Sequence, residues 1–219
     1  MTTTYRVEVA IFGLVALALV WSGEWAYAAL ANLNGVRMVD FVRTGPTSVD
    51  LLLFYHRAWS GYVTGRGDLP PGNFVPAIFT NDEFAHMTDV RAVFIGAQAG
   101  AALALGIVIF RLLRARARGY ALRLIRDGAL LAAGLVVLIG VAAVVAFDQL
   151  FLLFHEVFFP QGNFLFDPAT SNLIRLYPEW YWQGITAGVG LSFVAVALLV
   201  AAAAHIALRR RSNTYTRAA

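Results

Sequence analysis

The sequence lacks cysteine and lysine and carries little charge. It has no Cys, only 14% charged residues, and 17 basic residues that are all Arg. The absence of Cys excludes thiol catalysis, thiolate metal sites and cysteine redox chemistry. No G-x-S-x-G elbow and no Walker loop is present, so the usual serine-hydrolase and nucleotide-binding signatures are missing too. The chain is instead 59% hydrophobic, with a mean hydropathy of +0.67, more than a soluble domain of this size carries.

Four apolar segments are long enough to cross a bilayer, which takes about 20 helical residues. They cover residues 7–30, 90–113, 129–146 and 185–208. Backbone amides find no water inside the membrane, so each segment is expected to be a helix. The sequence therefore predicts an all-α integral membrane fold, a four-transmembrane-helix bundle formed by a single membrane domain over residues 1–219. A cleaved signal peptide is the alternative interpretation of the first segment.

Arginine is concentrated in two places, the loop 114–128 and the segment after the last span. By the positive-inside rule both places are cytoplasmic, and so are both termini. The segments 31–89 and 147–184 then lie outside and form an extracytoplasmic cap. The pI of about 9.8 reflects this topology, because the basic groups flank spans and do not cover a soluble face, so no nucleic-acid partner is expected.

Histidine is the remaining candidate for chemistry, and His86 is well placed. Thr80 and Glu83 have the spacing of a capping box, which predicts a helix start just before it. Asp82, Glu83 and Asp89 all lie within about one turn of His86, where a carboxylate orients an imidazole as a base. His205 is interpreted as an interfacial residue, and His56 is set aside because its surroundings are rich in aromatic residues.

His155 follows a stripe of phenylalanines at helical spacing and precedes Glu156. The zinc-protease motif H-E-x-x-H is excluded because position 159 is Phe, and paired-histidine haem ligation has no matching inner set. A neutral His acting as general base, without metal or other cofactor, is the simplest prediction. Glu24, near the outer end of the first span, is either a snorkelling carboxylate or a partner in the site.

Four short stretches resemble a family of bacterial four-span membrane proteins that includes the lipoprotein intramolecular transacylase. They read HMTDV from His86, FHEVFF from Phe154, GNFLFDP from Gly162 and LIRLYP from Leu173. The resemblance implies an acyltransferase of the bacterial cytoplasmic membrane, active on the extracytoplasmic face, with membrane lipids and diacylglyceryl-modified lipoproteins as partners. It would move the sn-2 acyl chain to the N-terminal cysteine amine of the lipoprotein and leave the lyso-form.

The resemblance also implies that His86 and His155 are the catalytic pair. His86 is expected to be the general base toward the amine, and His155, held by Glu156 or another carboxylate, the donor to the leaving oxygen; the reverse order fits equally. Two other functions stay open on the residues alone. One is a non-catalytic membrane protein that binds lipid or a partner, and the other is a membrane esterase that releases the acyl chain to water.

Overall fold

The computed structural model describes residues 2–42, 44–69 and 77–217, and these residues are mainly helical. The helices are α1 (Thr2–Trp21), α2 (Glu24–Leu33), α3 (Val49–Val63), α4 (Asn81–Ala117), α5 (Ala121–Val145), α6 (Phe147–Phe158), α7 (Leu173–Leu176) and α8 (Glu179–Arg217). The strands are β1 (Met38–Phe41) and β2 (Gly45–Ser48).

Three helices, α4, α5 and α8, are each long and apolar enough to cross a membrane, and the bent pair α1–α2 makes a fourth if it is one span. These elements contain the four segments predicted from the sequence, except that the third segment, 129–146, extends one residue beyond the end of α5 at Val145. Helix α4 has 37 residues, about 55 Å at a rise of about 1.5 Å per residue. Because a hydrocarbon core is about 30 Å thick, the first turns of α4 have length to spare beyond it.

The first predicted span, 7–30, is not one straight helix. Helix α1 ends at Trp21 and α2 begins at Glu24, with a bend of 72° between them. Gly23 between the helices is extended, with φ −74° and ψ 156°. The indole of Trp25 donates to the carbonyl of Val20 over 3.1 Å, which satisfies an acceptor freed at the end of α1. The break is therefore built into the local sequence.

A small β-hairpin departs from the all-helical expectation. Strands β1 and β2 are antiparallel, with Met38 opposite Ser48 and Phe41 opposite Gly45. Gly45 has φ +73°, a left-handed conformation that favours glycine where the chain returns. The Arg175 guanidinium donates to the Asp40 carbonyl of β1, so the hairpin is tied to the segment that follows α6.

The described chain forms two compact units with different interiors. One unit takes in residues up to Leu17, Gln98–Val145 and the chain from Gly188 onward, and the other takes in Ala18–Ala97 and Ala146–Ala187. The first unit has a core built mainly from alanine; its buried residues are Ala10, Ala129, Ala132, Ala133, Val136, Phe193, Ala197 and Ala201. Small residues allow helices to approach closely in lipid. The prediction of a single membrane domain stays a prediction.

The second unit has an aromatic core. Its largest buried side chains include Tyr27, Phe41, Tyr55, Trp59, Phe79, Tyr177 and Tyr181. Aromatic side chains bury large areas and prefer tilted or edge-on contacts, which a compact cluster of this kind supplies. All the candidate site residues of the sequence analysis lie in this unit.

Candidate active site

His86 and His155, far apart in the sequence, lie next to each other in the second unit. Their ring centroids are 6.0 Å apart and their planes differ by only 16°. His86 is on the second turn of α4, and His155 is near the end of α6. The structure thus brings together the two histidines that the sequence singled out.

His86 is buried among aromatic rings. Its side chain is 6% exposed, and its ring lies 4.7 Å from Phe159 and 5.5 Å from Phe166, centroid to centroid. Its Nδ1 is buried and has no hydrogen-bond partner within the described part of the chain. Since a buried polar atom normally has a partner, this nitrogen is a candidate to meet a substrate.

The backbone fixes the orientation of His155. Its Nδ1 donates to the carbonyl of Phe151, one turn earlier, over 2.7 Å. A carbonyl can only accept, so Nδ1 carries the hydrogen and Nε2 of the neutral ring carries the lone pair. The expectation that Glu156 holds His155 is wrong for this nitrogen, because the Phe151 carbonyl occupies it. Glu156 itself is exposed.

Asp89 is the acceptor of a polar cluster beside His86. Its Oδ2 accepts from the Gln161 amide over 2.7 Å and from the Asn163 amide over 2.6 Å. Asp89 is one of three carboxylates, with Asp82 and Glu83, any of which was expected to orient His86. Among the described residues, the hydrogen bonds of Asp89 go instead to Gln161 and Asn163. Sequence reasoning quoted Asn163 within the GNFLFDP stretch but gave it no role, although a polar side chain within an aromatic run was a usable signal.

Glu83 supports the fold at the start of α4. It is 1% exposed, and the predicted capping box with Thr80 is present, with the Thr80 N–H donating to Glu83 over 2.6 Å and the Glu83 N–H to Thr80 over 3.2 Å. The other carboxylate oxygen accepts from the Ser171 hydroxyl and the Leu173 N–H. These partners anchor α4 to the segment that leads into α7. Asp82, the other acidic candidate nearby, is exposed.

Glu24 pairs with Arg57 and not with a histidine. The guanidinium donates from Nε and Nη2 to the two carboxylate oxygens over 2.8 and 2.7 Å. This two-pronged contact joins α2 to α3 at an exposed position. The two roles considered for Glu24, snorkelling carboxylate or site partner, stay predictions, and the structure adds an ion pair with Arg57.

A second buried histidine, His56, belongs to a separate tyrosine cluster with Tyr27, Tyr177 and Tyr181. His56 is 1% exposed, its ring stacks on Tyr27 at 4.8 Å, and its Nδ1 lies 3.2 Å from the Tyr177 hydroxyl. Burial lowers the pKa of His56 to about 4, so the ring is neutral at physiological pH. The sequence analysis set His56 aside and did not anticipate this depth of burial.

Comparison with known families identifies the chain. The sequence model of the family described as Lipoprotein intramolecular transacylase Lit matches residues 63–182. That range is more than half of the chain and contains His86, His155, Asp89 and Asn163. The chain belongs to this family. It is an integral membrane enzyme of the lipoprotein intramolecular transacylase class, as the resemblance in the sequence implied.

Solved structures show the same fold. The membrane integral lipoprotein intramolecular transacylase Lit from Bacillus cereus is 16% identical, with a TM-score of 0.65 over 100% of this chain and 99% of that chain. The same protein with one histidine replaced by arginine is 14% identical, with a TM-score of 0.69 over 97% of this chain and 93% of that chain. Its form with alanine at a histidine is 15% identical, with a TM-score of 0.68 over 97% and 96%.

These likenesses confirm the predicted class of helical membrane fold, which is known from a bacterial protein. At 14–16% identity they establish the fold alone. No curated protein sequence matches the chain at a significant level. The roles of individual side chains therefore have to be argued from the geometry of this chain.

Proposed function

We propose that this enzyme moves the sn-2 acyl chain of a diacylglyceryl-modified lipoprotein to the amine of the lipoprotein's N-terminal cysteine and leaves the lyso-form. Family membership supplies the reaction class and the kind of substrate. The observation that supports acid and base chemistry in this chain is the pair of nearly parallel imidazoles, with buried His86 and half-buried His155 centred 6.0 Å apart. No nucleophile of the enzyme is needed, because the substrate carries both the ester and the amine.

The surroundings of the pair suit an acyl chain better than water. His155 lies 4.3 Å from Phe151 and 5.1 Å from Phe164, centroid to centroid, and Phe159 contacts both histidines. Apolar surface of this kind favours lipid chains and disfavours bulk water. This favours transfer to an amine over release of the acyl chain to water, so it argues against the esterase alternative.

The sequence analysis assigned His86 as the general base and His155 as the proton donor. For the attack step, the hydrogen bond on His155 favours the reverse assignment. Because Nδ1 is committed to the Phe151 carbonyl, Nε2 can accept a proton from the attacking amine. A ring held in one tautomer by its other nitrogen is pre-oriented for this task. His86, whose Nδ1 has no partner among the residues that the structure describes, is the group that returns a proton to the leaving oxygen.

The protons balance over the two histidines. The substrate ammonium first gives a proton to His86, which is the role of base assigned to it from the sequence. The free amine then attacks the ester carbonyl carbon while His155 accepts its second proton. The tetrahedral intermediate collapses as the bond from carbon to the sn-2 oxygen breaks, and the His86 imidazolium protonates that oxygen. His155 returns its proton to water, so the products are an amide, a glycerol hydroxyl and one released proton.

The distribution of arginine supports a location for the reaction. With the loop 114–128 and both termini in the cytoplasm, the segments 31–89 and 147–184 carry the histidine pair on the extracytoplasmic side of the cytoplasmic membrane. Diacylglyceryl lipoproteins are held by their acyl chains in a leaflet, so the site would meet membrane lipids as well. Cysteine labelling at introduced sites in either segment, with an impermeant reagent, tests this orientation.

Mass spectrometry of the N-terminal lipopeptide from a co-expressed reporter lipoprotein tests the proposed function. We expect an N-acyl, lyso-glyceryl peptide with the wild-type protein and an unchanged diacylglyceryl peptide with His86→Ala or His155→Ala. His205→Ala is the matched control, since it removes a histidine outside the site. A diacylglyceryl peptide unchanged by the folded wild type would contradict the proposal, and an N-free lyso-peptide would indicate an esterase.

A further inference from the structure

A cavity of about 260 Å³ lies in the first unit, at the turn where α4 ends and α5 begins. Two arginines line it, Arg116 in the last turn of α4 and Arg211 toward the end of α8. The described residues that line the cavity include no acidic side chain. Its volume is several times the roughly 30 Å³ that a water molecule occupies in the liquid, so an anionic group of the size of a phosphate has room there.

The turn between α4 and α5 fixes one wall of this cavity. Gly119 has φ +75°, a conformation that favours glycine after a helix, and its N–H donates to the Arg116 carbonyl over 3.1 Å. The next N–H, of Tyr120, donates to the Ala115 carbonyl over 3.0 Å. Ala115 is fully buried and packs in a small cluster with Leu124 of α5. The turn therefore holds Arg116 next to the first turn of α5.

The two arginines of the cavity differ from other arginines of the unit in their partners. Arg111 and Arg126 each pair with a carboxylate, over 3.0 and 2.7 Å. Arg116 and Arg211 are exposed and have no ion pair or side-chain hydrogen bond within the described part of the chain. Unpaired cations that line one cavity repel each other, and an anion between them removes that cost. Each guanidinium also presents a fork of N–H donors that matches the oxygens of a phosphate.

Apolar side chains continue from the cavity toward the middle of the spans. Helices α4, α5 and α8 are all long and apolar enough to cross a membrane. Leu113, one turn before Arg116 on α4, is 61% exposed, and Leu208, one turn before Arg211 on α8, is half-buried. Residues three apart lie on one face of a helix. A ligand in the cavity therefore meets cationic groups at one end and hydrocarbon surface at the other, which suits a lipid better than a free ion.

We propose that this cavity binds the headgroup of an anionic membrane phospholipid, such as phosphatidylglycerol, with Arg116 and Arg211 donating to its phosphate oxygens. The acyl chains of that lipid run along Leu113 and Leu208 toward the middle of the bilayer. Basic pockets between spanning helices are sites where lipid headgroups bind. The first turn of α5 also lines the cavity, and its N–H groups, which have no partner within the helix, add donors to those of the two arginines. In the orientation proposed above, the bound lipid belongs to the cytoplasmic leaflet.

Native mass spectrometry of the purified protein in detergent measures the binding of the first lipid molecule. We expect phosphatidylglycerol to bind more tightly than phosphatidylcholine, whose headgroup has no net charge. The double variant Arg116→Gln/Arg211→Gln should weaken the binding of phosphatidylglycerol by about 10- to 100-fold, the scale of a lost hydrogen bond between charged groups. Equal binding of the two lipids to the wild-type protein would overturn the proposal.

Arg118→Gln/Arg123→Gln is the matched control. It removes the same charge from exposed positions of the same basic loop, and neither residue is among those that line the cavity. We expect this variant to change the affinity for phosphatidylglycerol by less than about threefold, because water and salt screen exposed charges. Equal losses in the two double variants would show a general attraction between basic residues and anionic lipid, and would overturn the assignment of a site.

Thermal unfolding of the wild-type protein in detergent distinguishes a lipid from a soluble phosphate. Phosphatidylglycerol should raise the Tm, since a ligand that binds only the folded state stabilises it, and inorganic phosphate at the same concentration should not. Equal protection by inorganic phosphate would overturn the choice of a lipid. If the double variant does not fold, Arg116→Gln alone should still weaken phosphatidylglycerol binding, and unchanged affinity would contradict the proposal. Acyl transfer is not part of either readout, so failure of the proposed function would leave this result unaffected.

Discussion

The second unit contains two buried histidine sites that differ in the side chains around each ring. His86 faces the phenylalanine rings of Phe159 and Phe166, while His56 stacks on Tyr27 and its Nδ1 lies 3.2 Å from the Tyr177 hydroxyl. Tyr27 in turn donates to the Leu176 carbonyl over 2.8 Å. Both histidines are buried, so burial alone does not identify a reactive residue. Each ring also has one buried nitrogen without a partner among the described residues, Nδ1 of His86 and Nε2 of His56. The difference therefore lies in what surrounds each ring, since a second imidazole lies beside His86 and tyrosine rings surround His56.

Replacing one histidine from each site should give the largest difference in the rate of acyl transfer. His155→Gln should lower the rate of acyl transfer by about 10²- to 10⁴-fold, the contribution of a positioned general base. His56→Gln should keep the rate per folded molecule, because its ring is interpreted as structural. The measurement is product formation by mass spectrometry, normalised to monodisperse protein. Loss of turnover in a well-folded His56→Gln would remove the distinction between the two sites.

Glu83 tests whether a buried charge beside the histidine pair serves the fold. Glu83→Gln replaces an acceptor by an amide that cannot satisfy the three donors on it, from Thr80, Ser171 and Leu173. We expect the free energy of unfolding to fall by about 2–4 kcal/mol, since bonds to charged groups are strong and orphaned donors are costly.

Titration with SDS, followed by Trp fluorescence, measures this loss. Asp82→Asn, at the exposed neighbouring position, is the control and should change the free energy of unfolding by no more than about 0.5 kcal/mol. The kcat of folded Glu83→Gln should change much less than that of His155→Gln. A selective loss of kcat at unchanged stability would move Glu83 into the catalytic site.

The sequence predicts most of the fold because the bilayer imposes simple rules. Span length, the capping box at Thr80 and the phenylalanine stripe before His155 are local patterns, and each corresponds to an element of the structure. The break at Gly23 and the hairpin at Gly45 were missed. In both places a glycine next to polar residues competes with a regular hydrophobic pattern, and tertiary contacts decide the outcome.

The partners within the site were less predictable. The motifs identified His86 and His155, and their resemblance to a family assigned them a common task. The links from Asn163 to Asp89 and from His56 to Tyr177 join residues more than 70 positions apart in the sequence. No local spacing rule selects such pairs, because the path of the loops after α3 and α6 determines them.

The tyrosine cluster also predicts a dependence of stability on pH. Burial lowers the pKa of His56 to about 4 from an ordinary value of 6.5, with Glu24 acting in the opposite direction. Between these two pKa values the unfolded chain binds a proton at His56 and the folded protein does not. The contribution of His56 to the free energy of unfolding is therefore complete above pH 6.5 and declines as the pH falls toward 4. At pH 5 the loss is about 2 kcal/mol. Unfolding of the wild type and of His56→Phe at pH 7.5 and 5 measures it, and an equal decline in both would contradict the assignment.

The smallest effect is expected at the ion pair beside the tyrosine cluster. Glu24 and Arg57 have side chains 36% and 67% exposed, and exposed pairs contribute about 0–1 kcal/mol because water screens them. A double-mutant cycle with Glu24→Gln and Arg57→Gln, measured by SDS unfolding, should give a coupling energy in that range.

A coupling energy well above 1 kcal/mol would require surroundings of lower polarity than water. The pair lies directly after the break between α1 and α2, so such a value would place that break within the interfacial region of the bilayer. The pKa of His56, which Glu24 raises, would then also depend on the surrounding lipid. The contrast with the His86 site would become one of depth in the membrane as well as of the side chains around each ring.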